Sequence, residues 1–134
     1  MPGRYVKFVK GNFYHVYNRG ANKQKIFLEA DNYLYLLKLL KKNTEKYYLA
    51  VIAYCLMPNH YHFLLRVDGD KDLSLCISST FNSYVQAINK RYDRVGFLFS
   101  ERFKAIHVSG DPYLIHLCRY IHRNPLRAKL GQKS

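Results

Sequence analysis

Two histidines that flank one bulky residue are the first sign of chemistry in this sequence. His60 and His62 enclose Tyr61 inside a largely apolar stretch, residues 60–67. Because side chains alternate between the two faces of a β-strand, His60 and His62 should share one face while Tyr61 points to the other. At a rise of roughly 3.3 Å per residue, the two imidazoles would lie about 7 Å apart along the strand. They could converge on one metal ion, or they could form a structural pair in the core.

A second group of candidate residues lies near the C-terminus. His116, Tyr120 and Asn124 are spaced by four residues, which places them along one stripe of a helix. A tyrosine hydroxyl becomes a covalent nucleophile when its pKa, ordinarily about 10, is lowered, and a nearby divalent cation lowers it in part. The carboxamide oxygen of Asn124 could then serve as a third metal ligand. The chain contains 13 tyrosines, so spacing alone does not distinguish Tyr120 from the others.

The elements that must position these residues can be predicted from the hydrophobic pattern. Aromatic and apolar runs predict four strands, over residues 12–17, 47–57, 60–67 and 103–108. Helical periodicity predicts two long helices, over residues 29–46 and 73–92. Loops are expected between these elements, including residues 18–22 and a loop or short strand at 95–99. Asp111 and Pro112 suit the start of a last helix, which should end at Asn124 because Pro125 follows.

This order of elements, β-α-β-β-α-β with an additional C-terminal helix that carries Tyr120, predicts an α+β fold. The arrangement is ferredoxin-like, an antiparallel sheet with helices packed on it. With 134 residues, 49% of them apolar, a single domain over residues 1–134 can build its own core. The third strand should turn its odd-numbered side chains, from Tyr61 to Val67, toward the helices. Its even-numbered side chains, from His60 to Arg66, should face the other way, where the last helix is free to cover part of the sheet.

The chain is strongly basic, with 22 Lys and Arg against 9 Asp and Glu and a formal net charge of +13. Such a charge favours a polyanionic partner, nucleic acid first and an anionic membrane second, although a merely soluble basic surface would also fit. The basic residues that we predict to contact nucleic acid are Arg19, Lys23, Arg102, Lys104 and Arg123. Four aromatic side chains could stack on unpaired bases or simply pack in the core, namely Tyr14, Tyr17, Phe97 and Phe99.

The cysteines and the N-terminus bear on the cellular compartment. Cys55, Cys76 and Cys118 form no C-x-x-C pair and sit among apolar residues, which predicts buried free thiols in a reducing compartment. Residues 1–10 are basic without a long apolar run, so we expect no signal peptide. No segment approaches the roughly 18 apolar residues of a membrane span. These observations predict a cytoplasmic protein that does not enter a membrane.

Four sequence blocks, which span nearly the whole chain, carry a further signal. They are Tyr14-His15-Val16-Tyr17-Asn18-Arg19-Gly20, Met57-Pro58-Asn59-His60-Tyr61-His62-Phe63-Leu64, Gly96-Phe97-Leu98-Phe99-Ser100-Glu101-Arg102-Phe103-Lys104-Ala105 and Arg119-Tyr120-Ile121-His122-Arg123-Asn124-Pro125. Each block is weakly specific, but all four in this order resemble the IS200-like, single-tyrosine transposases. The resemblance is strongest to the branch of REP-associated tyrosine transposases. These are HUH enzymes, named for a histidine, a bulky apolar residue and a histidine, which His60-Tyr61-His62 matches.

The resemblance implies a single-strand DNA endonuclease and strand transferase, active in DNA transposition and recombination. Tyr120 falls at the position of the family's nucleophile, His60 and His62 at its two metal-binding imidazoles, and Asn124 at a polar third ligand. Family members require Mg²⁺ or Mn²⁺ and cleave single-stranded DNA beside hairpins. Their tyrosine becomes joined to the 5′ phosphate and a 3′ hydroxyl is released, so strand joining needs no ATP. The family includes both monomers and dimers, which leaves a homodimer open, and a bacterial member would associate with the nucleoid.

Two other hypotheses fit parts of the sequence. The first is a non-catalytic module of the same fold that binds single-stranded nucleic acid through its charge, and its binding would be unaffected by a chelator. The second is a structural zinc site that combines His60 and His62 with a cysteine such as Cys55, although the cysteine spacing argues against it.

Overall fold

A computed structural model describes residues 7–108 of the chain, which form an antiparallel sheet of four strands with two α-helices and a short 3-10 helix, Ala21–Lys23. The strands are β1 (Phe13–Arg19), β2 (Leu49–Met57), β3 (His60–Val67) and β4 (Lys104–Val108). The helices are α1 (Ala30–Lys46) and α2 (Leu73–Arg91). The strand order β2-β3-β1-β4 places the two non-consecutive strands β1 and β3 at the centre, as in a ferredoxin-like fold. The predicted α+β class is confirmed, while the predicted last helix lies outside the described residues.

One face of the sheet and the inner faces of both helices form the main core. The side chains of Tyr61, Phe63 and Leu65 are each at most 1% exposed and pack with apolar residues of α1 and α2. The ring of Tyr61 stacks on Phe81 of α2 at 4.4 Å between centroids. The predicted orientation of β3, with its odd-numbered residues toward the helices, is therefore confirmed.

The opposite face of the sheet has a much smaller apolar cluster and a polar end. Ala53, Cys55, Leu64 and Val108 are buried together on this face. Beyond them, toward the end of the sheet where β2 turns into β3, the even-numbered residues of β3 are His62 and His60. The polar end of this face is where the candidate site lies.

The strand β1 ends two residues later than predicted, and the difference matters for the site. Asn18 and Arg19, expected in a loop, continue the ladder and pair with Tyr61 and His60 of β3. The ladder reaches this far because the next amide, that of Gly20, still donates to the carbonyl of Asn59 at 2.9 Å. As a result, Arg19 stands directly opposite His60 instead of lying in the predicted loop.

Each α-helix is followed, two residues after its end, by a residue with left-handed backbone geometry. Tyr48 follows α1 with φ of 56°, and Asp93 follows α2 with φ of 52°. This conformation ends a helix sharply and sends the chain back toward the sheet. Because Tyr47 and Tyr48 complete the end of α1, β2 begins at Leu49 and not at the predicted residue 47.

Two further predictions concern cysteines and membranes. Cys76 is a buried free thiol as predicted, Cys55 is buried as predicted, and Cys118 lies outside the described residues. Within residues 7–108, neither helix is long and apolar enough to cross a membrane.

Candidate metal and nucleic-acid site

The two histidines of β3 lie half-buried on the polar end of the sheet, as the alternation of the strand requires. Their ring centroids are 5.2 Å apart and their planes are nearly perpendicular, at 86°. The rings thus stand closer than the roughly 7 Å predicted from the rise along the strand, because they lean toward each other. Side by side on a rigid central strand, His60 and His62 present two nitrogen donors to one region of space.

The Nδ1 atom of His60 is held by its neighbour in the chain. It lies 2.8 Å from the side-chain oxygen Oδ1 of Asn59. A carboxamide oxygen only accepts hydrogen bonds, so the proton of a neutral His60 ring must be on Nδ1 and the lone pair on Nε2. This is the tautomer in which an imidazole can bind a metal through Nε2, with the other nitrogen oriented by a partner.

The tight turn that carries Asn59 is anchored by three amides of the segment between β1 and α1. Gly20 donates to the carbonyl of Asn59, while Ile26 and Phe27 donate to the carbonyl of Pro58 at 2.7 and 3.1 Å. Gly20 must be glycine for this approach, since a Cβ there would lie 2.3 Å from the carbonyl oxygen of Gln24. The turn is therefore fixed by backbone contacts, and it fixes the position of Asn59 against His60.

The Nδ1 atom of His62 is held by a histidine from the neighbouring strand. It lies 2.9 Å from Nε2 of His15 in β1, and the two rings are roughly parallel at 5.1 Å between centroids. His15 is 8% exposed, and its ring also stacks on Tyr17 at 4.7 Å between centroids. The spacing of the sequence gives His15 no recognisable partner, and the structure joins it to a candidate metal ligand.

Burial keeps all three imidazoles neutral at pH 7. Loss of hydration lowers the pKa of His15 to about 4. It also lowers the pKa of His62 to about 4, with smaller contributions from His15 and His60. The pKa of His60 is lowered by burial first and by the charge of Arg19 second. Neutral imidazole is the form that binds metals, so the site does not need to lose a proton before it can act as a ligand.

A cleft of about 720 Å³ opens beside the histidines and is lined by several basic side chains. Arg19, Lys23 and Lys104, all predicted to contact nucleic acid, line this cleft together with His60 and His62. Lys104 of β4 and His62 of β3 both pair with Tyr17 of β1, so the three side chains form one row across the sheet. The cleft combines metal-binding nitrogens with cations that can hold phosphates.

The remaining predicted contacts are placed differently. Arg102 lines a neighbouring groove of about 340 Å³, between α2 and the loop that contains Phe97 and Phe99. Tyr14 is only 1% exposed, so it packs in the core and cannot stack on a base. Tyr17 lines the cleft, and Phe97 is 82% exposed. Tyr120, Arg123 and Asn124 lie outside the described residues.

The described residues supply part of the ligand set that a divalent metal needs. Two neutral imidazoles on one strand, one of them in its Nε2 ligand form, are ligands common to Mn²⁺ and related ions. Between residues 7 and 108, no group of three His, Cys, Asp or Glu residues is placed to hold a metal. The alternative prediction, a zinc site formed by His60, His62 and Cys55, is therefore wrong. This thiol lies opposite His62 in the ladder but is fully buried among apolar side chains.

Comparison with known proteins finds one matching family and solved structures of similar fold. The family model described as "Transposase IS200 like" matches residues 8–124. A solved structure of a REP-associated tyrosine transposase bound to a REP hairpin superposes with a TM-score of 0.76 at 19% identity, covering 96% of this chain and 74% of that one. A putative transposase from Deinococcus radiodurans superposes with a TM-score of 0.59 at 15% identity, covering 91% and 95%. A search of curated proteins found no match.

Proposed function

This chain belongs to the IS200-like transposase family, and we propose that it cuts and rejoins single-stranded DNA through a metal-dependent covalent bond to Tyr120. The observation that carries the proposal is the pair of neutral imidazoles, His60 and His62, set at the floor of a basic cleft. Transposition is a reaction on phosphodiesters, and this cleft combines ligands for a metal with cations for a phosphate backbone.

The metal would be bound by residues from the middle and the C-terminal part of the chain. His60 and His62 would each ligate through Nε2, because Asn59 and His15 engage their Nδ1 atoms. Asn124 would add a carboxamide oxygen as the third protein ligand. When bound, Mg²⁺ or Mn²⁺ supplies a Lewis acid that withdraws electron density from the scissile phosphate. Imidazole ligands favour Mn²⁺ over Mg²⁺ in affinity.

Tyr120 would act as the nucleophile. Its phenolic oxygen forms a bond to phosphorus while the bond between phosphorus and the 3′ oxygen breaks, and the phenolic proton is lost as the 3′ oxygen gains one. The product is a 5′-phosphotyrosine and a free 3′ hydroxyl. Because the phosphodiester energy is kept in the protein–DNA bond, a 3′ hydroxyl can later reverse the step and join strands without ATP.

The DNA would lie along the basic cleft, held at its phosphates by Arg19, Lys23 and Lys104. Tyr17 in the cleft and the exposed Phe97 are the aromatic side chains available to stack on unpaired bases. The neighbour of known structure was solved with a REP hairpin, which supports a hairpin beside the single strand as the form of the substrate. Arg102 in the adjoining groove and Arg123 would extend the contact to phosphates.

The proposal can be tested by looking for the covalent intermediate. Native protein is incubated with a labelled single-stranded oligonucleotide that carries a hairpin, with Mn²⁺ or with EDTA, and the products are separated in denaturing gels. We expect a protein–DNA adduct with Mn²⁺ only, and none with Tyr120→Phe. The matched control is Tyr48→Phe, which removes the hydroxyl of an exposed tyrosine at the end of α1 and should form the adduct normally.

Two results would contradict the proposal. One is an adduct of equal yield from Tyr120→Phe. The other is tight DNA binding that is indifferent to EDTA and to His60→Ala and yields no adduct from any hairpin tested, which would identify a non-catalytic binding module.

A further inference from the structure

We propose that His15 is a positioning residue that accepts the Nδ1 proton of His62 and so holds His62 in the tautomer that presents Nε2 as a metal ligand. The inference rests on the proposed function, because it assigns a role toward the metal that His60 and His62 would bind. His15 itself touches neither metal nor DNA in this account. It acts only through His62.

The geometry places the two rings in a direct and confined contact. Nε2 of His15 and Nδ1 of His62 are 2.9 Å apart, the length of an ordinary hydrogen bond between nitrogens. Both residues lie on the two central strands of the sheet, which pair with each other along their length. Tyr17 stacks against both rings, at 4.7 Å from His15 and 5.7 Å from His62. The ring planes are thus fixed by packing as well as by the hydrogen bond.

One proton lies between two neutral imidazoles, and its position decides whether His62 can bind a metal. If Nε2 of His15 donated, His62 would carry its own proton on Nε2, and that nitrogen would have no lone pair for a metal. If His62 donates from Nδ1, its Nε2 carries the lone pair and His15 carries its proton on Nδ1. The second arrangement matches the tautomer that Asn59 imposes on His60. The two ligands would then offer equivalent nitrogens.

A stability role alone does not account for His15. Its Nδ1 is buried and has no hydrogen-bond partner among the described residues, and such an atom costs roughly 1–3 kcal/mol. An apolar side chain in this position would avoid that cost and would still pack on Tyr17. The imidazole is therefore explained by what its other nitrogen does, which is to contact His62.

A pair of variants separates the acceptor from the rest of the side chain. In His15→Gln the carboxamide can occupy the place of Nε2 and accept from His62. In His15→Asn the same chemical group is one methylene shorter and falls near the place of Nδ1, out of reach. Both variants keep a polar side chain of similar character, so they differ mainly in the contact to His62.

The first measurement is the tautomer of His62 in the metal-free protein at pH 7.5, read from long-range proton–nitrogen correlations of the imidazole in ¹⁵N-labelled samples. We expect Nδ1 to be protonated and Nε2 bare in the native protein and in His15→Gln. His15→Asn should give a mixture of tautomers. A native His62 protonated on Nε2 would overturn the inference, and this readout does not depend on either variant folding.

The second measurement is the affinity for Mn²⁺ alone, by electron paramagnetic resonance titration. Loss of an outer partner of a metal ligand weakens metal binding roughly 10- to 100-fold, which we expect for His15→Asn, while His15→Gln should stay within about threefold of native. Equal affinities of native and His15→Asn proteins would contradict the inference. If the native protein bound no Mn²⁺ at all, the proposed function would fail, while the tautomer of His62 would still decide the role of His15.

Discussion

At the scale of the residue, the site depends on which nitrogen of each imidazole carries a proton. His60 and His62 each have a partner at Nδ1, one from the adjoining turn and one from the adjoining strand. Arg19 lies opposite His60 in the ladder. The pKa of His60 is lowered mainly by burial of its ring and secondly by the positive charge of Arg19. Neutral rings with engaged Nδ1 atoms are prepared to bind a cation without prior deprotonation.

Removing either imidazole of β3 should abolish metal binding. We expect His60→Ala and His62→Ala each to weaken Mn²⁺ affinity by more than about 100-fold, beyond what loss of an outer partner costs, measured by calorimetric titration. The matched control is His107→Ala, since His107 is an exposed histidine whose ring contacts Tyr14, a core residue on the other side of the sheet. A loss of equal size in the control would show that the metal binds elsewhere.

The buried histidines should also make the protein less stable in acid. The unfolded chain binds protons at His15 below pH 6.5, but the folded chain resists protonation until about pH 4. The contribution of His15 to the free energy of unfolding should therefore be constant above pH 7 and fall between pH 6.5 and 4. Each pH unit between the two pKa values corresponds to at most about 1.4 kcal/mol, and solvent screening at this incompletely buried ring reduces the loss from His15 below that limit.

Urea unfolding at pH 7.5, 6.0, 5.0 and 4.5 measures this loss, and His15→Gln provides the comparison because it lacks the imidazole. Carboxylates titrate in the same range in both proteins, so only the difference between the two curves reports on His15. We expect the curve of His15→Gln to fall less steeply. Parallel curves would mean that His15 is protonated as easily in the folded protein as in the unfolded one.

Alternation along one strand was sufficient to predict that His60 and His62 share a face opposite Tyr61. The partner of His62 could not be predicted in this way. His15 and His62 are 47 residues apart, and their contact depends on the register in which β1 pairs with β3. The family resemblance placed the block around His15 in the chain but gave that residue no role.

At the scale of the element, the ends of strands and helices determine how the site is built. The ladder between β1 and β3 continues to Arg19 and His60, and the segment that follows returns its amides to the turn at Pro58 and Asn59. The sequence pattern located the four strands and both α-helices of residues 7–108, but it ended β1 too early and predicted a loop where the short 3-10 helix Ala21–Lys23 begins. Polar residues such as Asn18 and Arg19 resemble a loop, whereas backbone hydrogen bonds to the neighbouring strand keep them extended.

The end of α2 offers a direct test of how the sequence specifies these connections. Asp93 adopts a left-handed conformation that costs most L-residues roughly 1–2 kcal/mol, and its negative charge lies near the negative end of the helix dipole. Asp93→Gly should therefore raise the free energy of unfolding by about 0.5–1 kcal/mol in urea titrations.

Asp93→Ala is the control, because it removes the charge and keeps the Cβ. If the backbone conformation is the main cause of the cost, Asp93→Ala should give little or no gain. Equal gains in both variants would assign the effect to the charge instead.

At the scale of the whole molecule, the net charge is +13, and the fold brings some of the basic side chains together on one surface. Arg19 and Lys104 come from opposite ends of the described chain and line the same cleft as the histidines, because β1 pairs with both β3 and β4. The helices cover the other face of the sheet. This arrangement lets one surface combine phosphate binding with the candidate metal site. Composition predicted a polyanionic partner, but it could not tell which of the 22 basic residues would meet in this cleft.

The contribution of the cleft to DNA binding should appear in the salt dependence. We expect the affinity for single-stranded DNA to fall steeply with salt, and Arg19→Ala and Lys104→Ala each to reduce the slope of log K against log salt by about 1. Lys42→Ala is the control, since Lys42 is an exposed residue of α1, on the helical side of the sheet. Fluorescence anisotropy at several salt concentrations measures all four proteins, and an equal change in the control would contradict a role specific to the cleft.

The most direct test of the central claim is to identify the residue that becomes linked to DNA. The adduct formed with Mn²⁺ is digested with protease and nuclease, and the nucleotide-bearing peptide is sequenced by mass spectrometry. The account predicts a single modified residue, Tyr120, attached through the 5′ phosphate. A linkage to any other residue, for example Tyr17 beside His62, or a 3′-phosphate linkage would contradict it.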